Sequence, residues 1–381
     1  MSEKIKVNLL TNYNGDAQFS MITYADQLEK SLRFSFPDQC EISVHVPSDN
    51  SFGGIVRRFP AGRKVDSYWN RFVIHPLIAK KISGGINHIT DHNNSYLVNY
   101  LDPERTVITC HDLVYFRIPD DKGGKRNRFS LRHAIRNYTV SGLPKAARII
   151  ADSENTKRDI MELFGIPDER IEVVYPGIKS CFRRIEDRGI LNKGKEKFGL
   201  RYGKTILHAG QSYYYKNIEG ILHALYVLHG KGEKSIHLVK AGKDFSPGQK
   251  EMILRLGMGD YVHYLGDLTD EDLNLLCNLV DVMVFPSLYE GFGWPPLEAM
   301  ACGTPVVCSD RGSLKETAGN AALIVDPDNH EEIAEAITLL LSDPSVRQEK
   351  IRQGFENVKR FDWRKTAEAV FNVYNKVLGK Y

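Results

Sequence analysis

Short apolar runs alternate with longer amphipathic stretches over almost the whole chain of 381 residues. Six runs rich in β-branched residues in the first half are typical of buried strands. They are IKVNLL (5–10), EISVHV (41–46), INHITD (86–91), TVITCH (106–111), ARIIAD (147–152) and IEVVYP (171–176). Between them, apolar residues recur at helical spacing over 21–34, 69–82 and 128–140. This alternation predicts βα units around a mostly parallel sheet.

The alternation is interrupted once and then resumes. Residues 177–203 are polar, contain glycines and lack a strand-like run, which predicts a linker and a lead-in helix. Six further strand-like runs follow: TILHAG, IHLVKAG, VHYLG, VMVFPS, PVVCSD and AALIVD. We therefore predict an α/β protein with two Rossmann-like, doubly wound domains and a central cleft. The N-terminal domain would span 1–180, the C-terminal domain 181–360, and an amphipathic helix at 361–381 would cross back to the first.

Composition narrows the class of protein. Apolar residues make up 42% of the chain and charged residues 26%, which is typical of a soluble globular protein. No window approaches the ~20 apolar residues of a membrane-spanning helix, and the first strand-like run begins at once, so we expect no signal peptide and a cytoplasmic location. The six cysteines form no CxxC pair, which argues against a zinc ribbon or a redox dithiol.

The segment FPSLYEGFGWPPLEAMACGTPVVCSD (285–310) contains the densest candidate chemistry. A buried strand is followed by the tight turn Gly291-Phe292-Gly293, and two prolines then favour the start of a helix. Such a turn and the helix N-terminus offer backbone N–H groups and partial positive charge to an anion. Glu290 precedes the turn and Glu298 lies within the helix. One carboxylate can therefore reach sugar hydroxyls and the other ribose hydroxyls.

This segment resembles the retaining glycosyltransferases of the GT-B architecture, glycosyltransferase family 4 or group 1. Their shared signature is a pair of glutamates separated by seven residues, here Glu290-GFGWPPL-Glu298. The resemblance covers nearly the whole chain, because five other stretches look like motifs of the same family. They are HDLVYFRIP (111–119), ADSENTKRDI (151–160), IEVVYPGI (171–178), ILHAGQSYYYKN (206–217) and RFDWRKTAEAVFNVY (360–374).

The resemblance implies transfer of a hexose, with retained anomeric configuration, from a nucleoside-diphosphate sugar to a glycan or lipid-linked acceptor. It implies no metal and no other cofactor, and we expect a UDP-hexose ahead of GDP-mannose. The implied catalytic residues are His111 near the reacting face of the sugar, Lys216 on the donor diphosphate and Glu290 on the sugar. The implied donor-binding residues are Gly15, Gly210, Gln211, Lys216, Lys243, Glu290, Gly291, Phe292, Gly293 and Glu298, the last of them on the ribose.

Two departures from the family pattern concern the donor phosphates. Most relatives have an arginine directly after the glycine of the phosphate loop, whereas Gln211 follows Gly210 here. One cation is therefore either absent or supplied by Lys243. The usual Gly-Gly loop after the first strand is replaced by TNYNGDAQFS (11–20), which contains only Gly15. The missing arginine keeps open a non-catalytic nucleotide-sugar-binding protein. A nucleotide-sugar hydrolase or 2-epimerase of GT-B fold is the other alternative, against which the glutamate spacing speaks.

The other patterns predict less. Residues 122–136 hold six Lys or Arg and no acid, which indicates either peripheral contact with the inner face of a membrane, a clamp for a phosphorylated or lipid-linked acceptor, or a solvated basic helix. Asp326-Pro327-Asp328 is more typical of a turn than of a metal motif. The spacing of His88 and His92 lacks the glutamate of a helical zinc motif. For the three tyrosines at 213–215 the alternatives are stacking on a base, lining the cleft, and packing within their loop. Glycine patterns for a dinucleotide are incomplete, and no fold for binding nucleic acid is indicated.

Overall fold

The computed structural model describes residues 4–13, 19–47, 62–118, 131–200 and 203–379, with residues 62–64 described by their backbone alone. These residues form two compact units. The first unit takes its residues from 1–116, 125–177 and 363–381, and the second consists chiefly of Ile178–Asp362. The C-terminal segment thus belongs to the first unit, and each unit is described below by itself.

Six parallel strands form a sheet in the described part of the first unit. They are β1 Ile5–Leu10, β2 Cys40–His45, β3 Ile86–Ile89, β4 Thr106–Cys110, β5 Arg148–Ala151 and β6 Ile171–Val173. Their order in the sheet is β2-β1-β3-β4-β5-β6. β3 and β4 are buried along their whole length, as expected for a parallel sheet covered on both faces. Each of β2 to β6 ends one to three residues before the end of its predicted run, so that His111 and Asp152 lie just beyond the carboxyl edge of the sheet.

The described residues of this part of the chain form seven α-helices. They are α1 Phe19–Ser35, α2 Gly62–Trp69, α3 His75–Ala79, α4 Val114–Arg117, α5 Leu131–Val140, α6 Glu154–Phe164 and, from the C-terminal segment, α15 Trp363–Val377. A π-helical turn at Asn70–Ile74 joins α2 to α3. The prediction began this helix at residue 69 and was wrong by seven residues, because its first turns are largely polar.

The C-terminal helix α15 packs against α1 and β3. Phe371 stacks on Phe36 with 4.1 Å between ring centroids. The hydroxyl of Tyr374 lies 2.7 Å from Nδ1 of His88, and Thr366 donates a hydrogen bond to the carbonyl of Tyr175. This packing buries the apolar side of α15, which explains why its sequence is amphipathic although it follows the last strand of the second unit.

The second unit repeats the architecture with six parallel strands. They are β7 Lys204–Gly210, β8 Ile236–Gly242, β9 Val262–Gly266, β10 Val282–Phe285, β11 Val306–Ser309 and β12 Ala322–Val325. Their order is β12-β11-β10-β7-β8-β9. The flanking helices are α7 Arg188–Lys197, α8 Ile218–Gly230, α9 Pro247–Arg255, α10 Asp270–Cys277, α11 Trp294–Cys302, α12 Leu314–Ala318, α13 His330–Ser342 and α14 Pro344–Val358.

Short 3-10 segments connect these elements. They lie at His92–Tyr100, Pro103–Arg105, Leu143–Lys145, Asp168–Arg170, Tyr214–Lys216, Gly259–Tyr261 and Gly319–Ala321. Within the described ranges, no helix combines the length and the apolar character that crossing a bilayer requires.

Both sheets have a point where the strand order reverses. In the second sheet the chain winds outward from β7 through β8 to β9 and then continues on the other side of β7 with β10. In the first sheet the reversal lies between β1 and β3. Open parallel sheets bind ligands beyond the carboxyl ends of the two strands that flank such a switch point. We therefore expect a ligand site in the second unit at the residues that follow Gly210 and Phe285.

Candidate active site

Lys216 and Glu290 meet across the switch point of the second sheet. Lys216 lies in the 3-10 segment after β7, and Glu290 lies in the loop after β10. The Lys216 ammonium donates to Oε1 of Glu290 at 2.7 Å and to Oε2 at 2.9 Å. Only 14% of the lysine side chain and 10% of the glutamate side chain are exposed. The two residues therefore form a largely buried ion pair that fixes a cation beside a carboxylate.

Asn217 holds the two loops in register. Its φ of 53° is left-handed, a conformation that asparagine tolerates better than other residues with a β-carbon. Its Oδ1 accepts from the N–H of Gly220 and so caps α8. Its Nδ2 donates to the carbonyls of Pro286 and Pro327 at 3.1 and 2.8 Å. Lys216 is thereby positioned by the residue next to it, which ties the end of β7 to the end of β10.

The glycine-containing turn leads into α11. Gly293 has a φ of 92° at the N-cap of α11, and the two prolines fall within the first turn, where a missing N–H costs no helical hydrogen bond. Phe292 is buried and packs edge-on against Trp294 and Phe361. The side chain of Phe292 therefore anchors the turn, and what this residue can offer a ligand is its backbone.

Gly312 supports Glu290 from behind. Its φ is 59°, and a β-carbon at this position would lie 2.6 Å from both the nitrogen and the carbonyl oxygen of Glu290. The next residue, Ser313, donates its N–H to the Glu290 carbonyl at 3.0 Å. The backbone of Glu290 is thus held by a neighbouring loop that can approach closely only because residue 312 has no side chain.

Glu298 has different surroundings from Glu290. It lies partly buried in α11, where burial raises the pKa of its carboxyl to about 8; Lys179 opposes this rise and Asp270 adds to it. Cys181 and Cys277 also lie close enough to Glu298 for its charge to act on their thiols. The two glutamates of the sequence signature therefore differ: Glu290 pairs with a lysine, whereas burial favours the protonated form of Glu298.

The loop that follows β7 rests on a buried lysine that the sequence did not reveal. Lys240, on β8, is fully buried and donates to the carbonyls of Gly210, Ala241 and Lys243 at 2.7, 2.8 and 2.9 Å. Burial lowers the pKa of its ammonium to about 8, against the opposing charges of Asp267 and Asp244. Gly210 also accepts from the N–H of Lys243, whose side chain is exposed.

In the first unit, His111 is bound on both ring nitrogens. Its Nδ1 donates to Oδ2 of Asp152 at 2.6 Å and its Nε2 donates to the carbonyl of Thr90 at 2.8 Å. Burial disfavours the charged ring, but the Asp152 carboxylate outweighs burial and raises the pKa of His111 to about 9. An imidazolium with both N–H groups engaged cannot accept a proton. The role near the sugar that the resemblance implies for His111 stays a prediction.

Several buried side-chain atoms lack a hydrogen-bond partner among the described residues. They include Oδ1 of Asp152 and both ring nitrogens of His208. Burial, together with the charges of Lys240 and Lys216, lowers the pKa of His208 well below its usual value. His208 is thus a neutral ring beneath the loop. Asp152 lies within the quoted stretch ADSENTKRDI (151–160), and only its position directly after a strand could have drawn attention to it.

The side chains of three other sequence patterns contact neighbouring protein groups. Asp326 accepts from the N–H of Asp328, and both aspartates pair with Arg311, as in a turn. The ring nitrogens of His88 are both bound, to Tyr374 and to Thr109. Tyr213 stacks on Tyr215 within the loop. In the part of the chain that the structure describes, no three His, Cys, Asp or Glu side chains are grouped so that they could hold a metal. Gly15 and residues 122–130 lie outside the described residues.

Comparison with protein families agrees with this geometry. Residues 193–357 match the model described as "Glycosyl transferases group 1". Residues 42–180 match the model described as "Glycosyltransferase Family 4". The first match covers all the strands and the Lys216–Glu290 pair of the second unit, and the second match covers β3 to β6 with His111 and Asp152.

Individual proteins point the same way. The chain is 31% identical over 283 residues to O-antigen chain mannosyltransferase B of Escherichia coli, covering 74% of this chain and 72% of that protein. It is 29% identical to the serotype-specific mannosyltransferase WbdA of Escherichia coli, covering 79% of this chain but 37% of that protein. The fold matches the Anabaena protein HepE, solved in complex with UDP-glucose, with a TM-score of 0.72 and 16% identity over 98% of this chain and 100% of that chain. The chain has the GT-B fold and belongs to the group 1, family 4 glycosyltransferases.

Proposed function

We propose that this hexosyltransferase is retaining and metal-independent, and that it transfers a hexose from a nucleoside-diphosphate sugar to a glycan or lipid-linked acceptor. The observation that supports this most is the Lys216–Glu290 pair at the switch point of the second sheet. It puts a cation suited to phosphate beside a carboxylate suited to sugar hydroxyls. The N-terminus of α11, close by in the chain, adds partial positive charge.

In this proposal each group has a defined task. The donor phosphates compete with Glu290 for the Lys216 ammonium, and the released carboxylate binds hydroxyls of the sugar. The bond from the anomeric carbon to the diphosphate breaks, the acceptor oxygen bonds on the same face, and its proton passes to the diphosphate. Lys216 and α11 stabilise the charge that develops on the diphosphate, and removing one such donor typically lowers the rate ~10²–10³-fold. Glu298 binds the ribose, and the amides of Phe292 and Gly293 contact the sugar.

The identity of the donor is a second part of the proposal. The sequence led us to expect a UDP-hexose first and GDP-mannose second. Relatives named mannosyltransferases now favour mannose, whereas HepE, a more distant neighbour, was solved with UDP-glucose. We place a nucleoside-diphosphate mannose first and keep UDP-hexose as the competing donor.

A transfer assay tests the function. The protein is incubated in chelator with GDP-mannose, UDP-glucose or UDP-galactose and with alkyl mannosides and glucosides as acceptors, and the product anomer is determined by NMR. We expect one donor to give an acceptor-dependent product with the anomeric configuration of the donor. Glu290→Gln should lower the rate ~10²-fold or more, while Glu349→Gln, in a surface ion pair on α14, should not change it.

Each rival hypothesis predicts a different result in this assay. Free hexose without an acceptor would indicate a hydrolase. A changed configuration at C2 of the released sugar would indicate a 2-epimerase. Donor binding without turnover on any acceptor would indicate a non-catalytic sensor. An inverted product anomer would contradict the retaining mechanism, and loss of the product in chelator would contradict metal independence.

We also propose peripheral contact with an anionic membrane through 122–136. The described end of this segment opens α5 with Leu131, whose side chain is 77% exposed. Beside it lies an apolar groove of about 400 Å³ lined by Tyr68, Phe72, Ala134, Ile135 and Tyr138. Basic residues next to exposed apolar surface suit an anionic bilayer. Sedimentation with vesicles containing anionic lipid at low salt, and release at high salt, is the expected result; protein that stays in the supernatant at low salt would contradict it.

A further inference from the structure

Lys240 occupies a position where lysine is rarely found. It lies in the middle of a seven-residue strand, has no exposed surface, and forms no ion pair among the described residues. Lysine is seldom fully buried without a carboxylate partner, because desolvating an ammonium is costly. Three carbonyl oxygens accept its three N–H groups instead, so its hydrogen bonding is complete. A buried ammonium whose hydrogen-bond partners are all neutral carbonyls is a local source of positive potential.

Two of the three carbonyls that Lys240 binds lie in the loops at the ends of the neighbouring strands β7 and β8, of which β7 flanks the switch point. Gly210 ends β7, and Lys243 follows the end of β8. The Lys243 carbonyl also accepts from the hydroxyl of Ser212, and the Gly210 carbonyl accepts from the N–H of Lys243. A β-carbon on Gly242 would lie 2.6 Å from the Gly210 oxygen. The two loops are therefore packed backbone to backbone, with the ammonium of Lys240 as their common donor.

The charges near this point leave a task for a second cation. Lys216 is paired with Glu290, residue 211 is an uncharged glutamine, and the side chain of Lys243 is exposed. Lys240 lies close enough to Lys216 for the two charges to repel each other. An anion that binds near two cations that repel each other stabilises both charges, and a diphosphate is such an anion.

We propose that Lys240 is a positioning residue of the donor site, whose buried ammonium fixes the loop after β7 and supplies positive charge beneath the donor diphosphate. The inference rests on the proposed function, because it assumes that the diphosphate binds at this loop. It assigns to Lys240 the cation that the sequence left either absent or supplied by Lys243. Lys240 does not touch the donor, so its effect is on affinity and on the geometry of the loop.

The protonation of Lys240 should show in donor binding. The titratable and charged groups that face it lie on β7, the 3-10 segment after it, the loop after β8, and β9 with its following loop: His208, Lys216, Asp244, Tyr264 and Asp267. Because burial has brought the pKa of Lys240 to about 8, loss of its proton falls within the range of an ordinary binding experiment. A bound diphosphate should hold that proton and so bind less tightly as the pH rises.

The test is the affinity for UDP and GDP, measured by calorimetry from pH 7 to 9. We expect Lys240→Met to weaken binding at pH 7 about tenfold or more and Lys359→Met, the control from a surface ion pair on α14, less than twofold. Adding Gln211→Arg to Lys240→Met should restore most of the lost affinity, which a purely structural role would not allow. Wild-type affinity should fall as the pH passes 8, and that fall should be absent in Lys240→Met.

The contrary outcomes are distinct. A Lys240→Met protein that melts like wild type and binds as tightly would overturn the inference alone. So would a loss of affinity that Gln211→Arg does not restore. Wild-type protein that binds neither nucleotide would overturn the proposed function and this inference with it. If Lys240→Met does not fold, the wild-type profile decides, because an affinity that is constant from pH 7 to 9 contradicts a titrating cation beneath the diphosphate.

Discussion

Replacing Lys216 with methionine would leave the Glu290 carboxylate largely buried without its cation. Removing one partner of a buried ion pair typically costs ~3–5 kcal/mol, whereas replacing both partners by apolar residues of similar volume is often close to neutral. The pair keeps 14% and 10% of its side-chain surface exposed, so water relieves part of the charge. We therefore expect the lower end, about 3 kcal/mol, for Lys216→Met, and at most about 1 kcal/mol for Lys216→Met combined with Glu290→Met.

Urea unfolding of the second unit measures these values. Trp294 is the tryptophan of that unit, and a background with Trp69→Phe and Trp363→Phe makes its fluorescence specific. With a denaturant slope of ~2–3 kcal/mol per molar urea, Lys216→Met should lower the midpoint by about 1 M and the double variant should regain most of it. Lys359→Met, from a surface pair on α14, is the control and should change the midpoint little. A single variant as stable as the background, or a double variant that loses the sum of both singles, would refute the reasoning.

Three further predictions concern pH and backbone approach. Because the pKa of His111 rises to about 9 in the folded protein, its contribution to the free energy of unfolding is complete below about pH 6.5 and is lost as the pH rises through 9. Urea melts of wild type from pH 6 to 9.5 should show this loss as about 3 kcal/mol, and the loss should be much smaller in Asp152→Asn. Because the pKa of Glu298 is raised to about 8, folding stability should fall as the pH rises from 4.5 to 8, and Glu298→Gln should gain stability at pH 8.5 but not at pH 4.5. Gly312→Ala should displace the Glu290 backbone and lower hexose transfer at least tenfold, with a melting temperature that shows the protein still folds.

The fold could be predicted because its signals are local. Buried parallel strands are short apolar runs. Three of the twelve observed strands match the predicted run at both ends, and the other nine begin or end one to three residues away from it, as at β6, which ends at Val173 rather than at residue 176. The sequence did not predict the first turns of α2, because they are largely polar and so lack a helical spacing of apolar residues. The glutamate pair was found because its spacing along one loop and one helix is itself a local pattern.

The partners of the site residues could not be predicted. Alternation along β8 gives Lys240 no special status, and its burial depends on where the carbonyl of Gly210 lies in the neighbouring strand. The pairing of Lys216 with Glu290 joins residues that are 74 positions apart. The two bound nitrogens of His111 depend on Thr90 and Asp152, which come from loops after two other strands. Such contacts are set by the order of strands in a sheet, which a single sequence does not encode locally.

Thermal melting with nucleotide sugars tests the central claim most directly. UDP-, GDP- and ADP-sugars are each added in chelator to wild type, to Glu298→Ala and to Glu349→Ala, the surface control. A donor at ~100 times its dissociation constant adds ~2.7 kcal/mol, which for a unit of this size is a rise of roughly 5–10 °C. We predict that one nucleotide series raises the melting temperature of wild type and of the control but not of Glu298→Ala. No rise with any nucleotide sugar would contradict a donor site at the switch point of the second sheet.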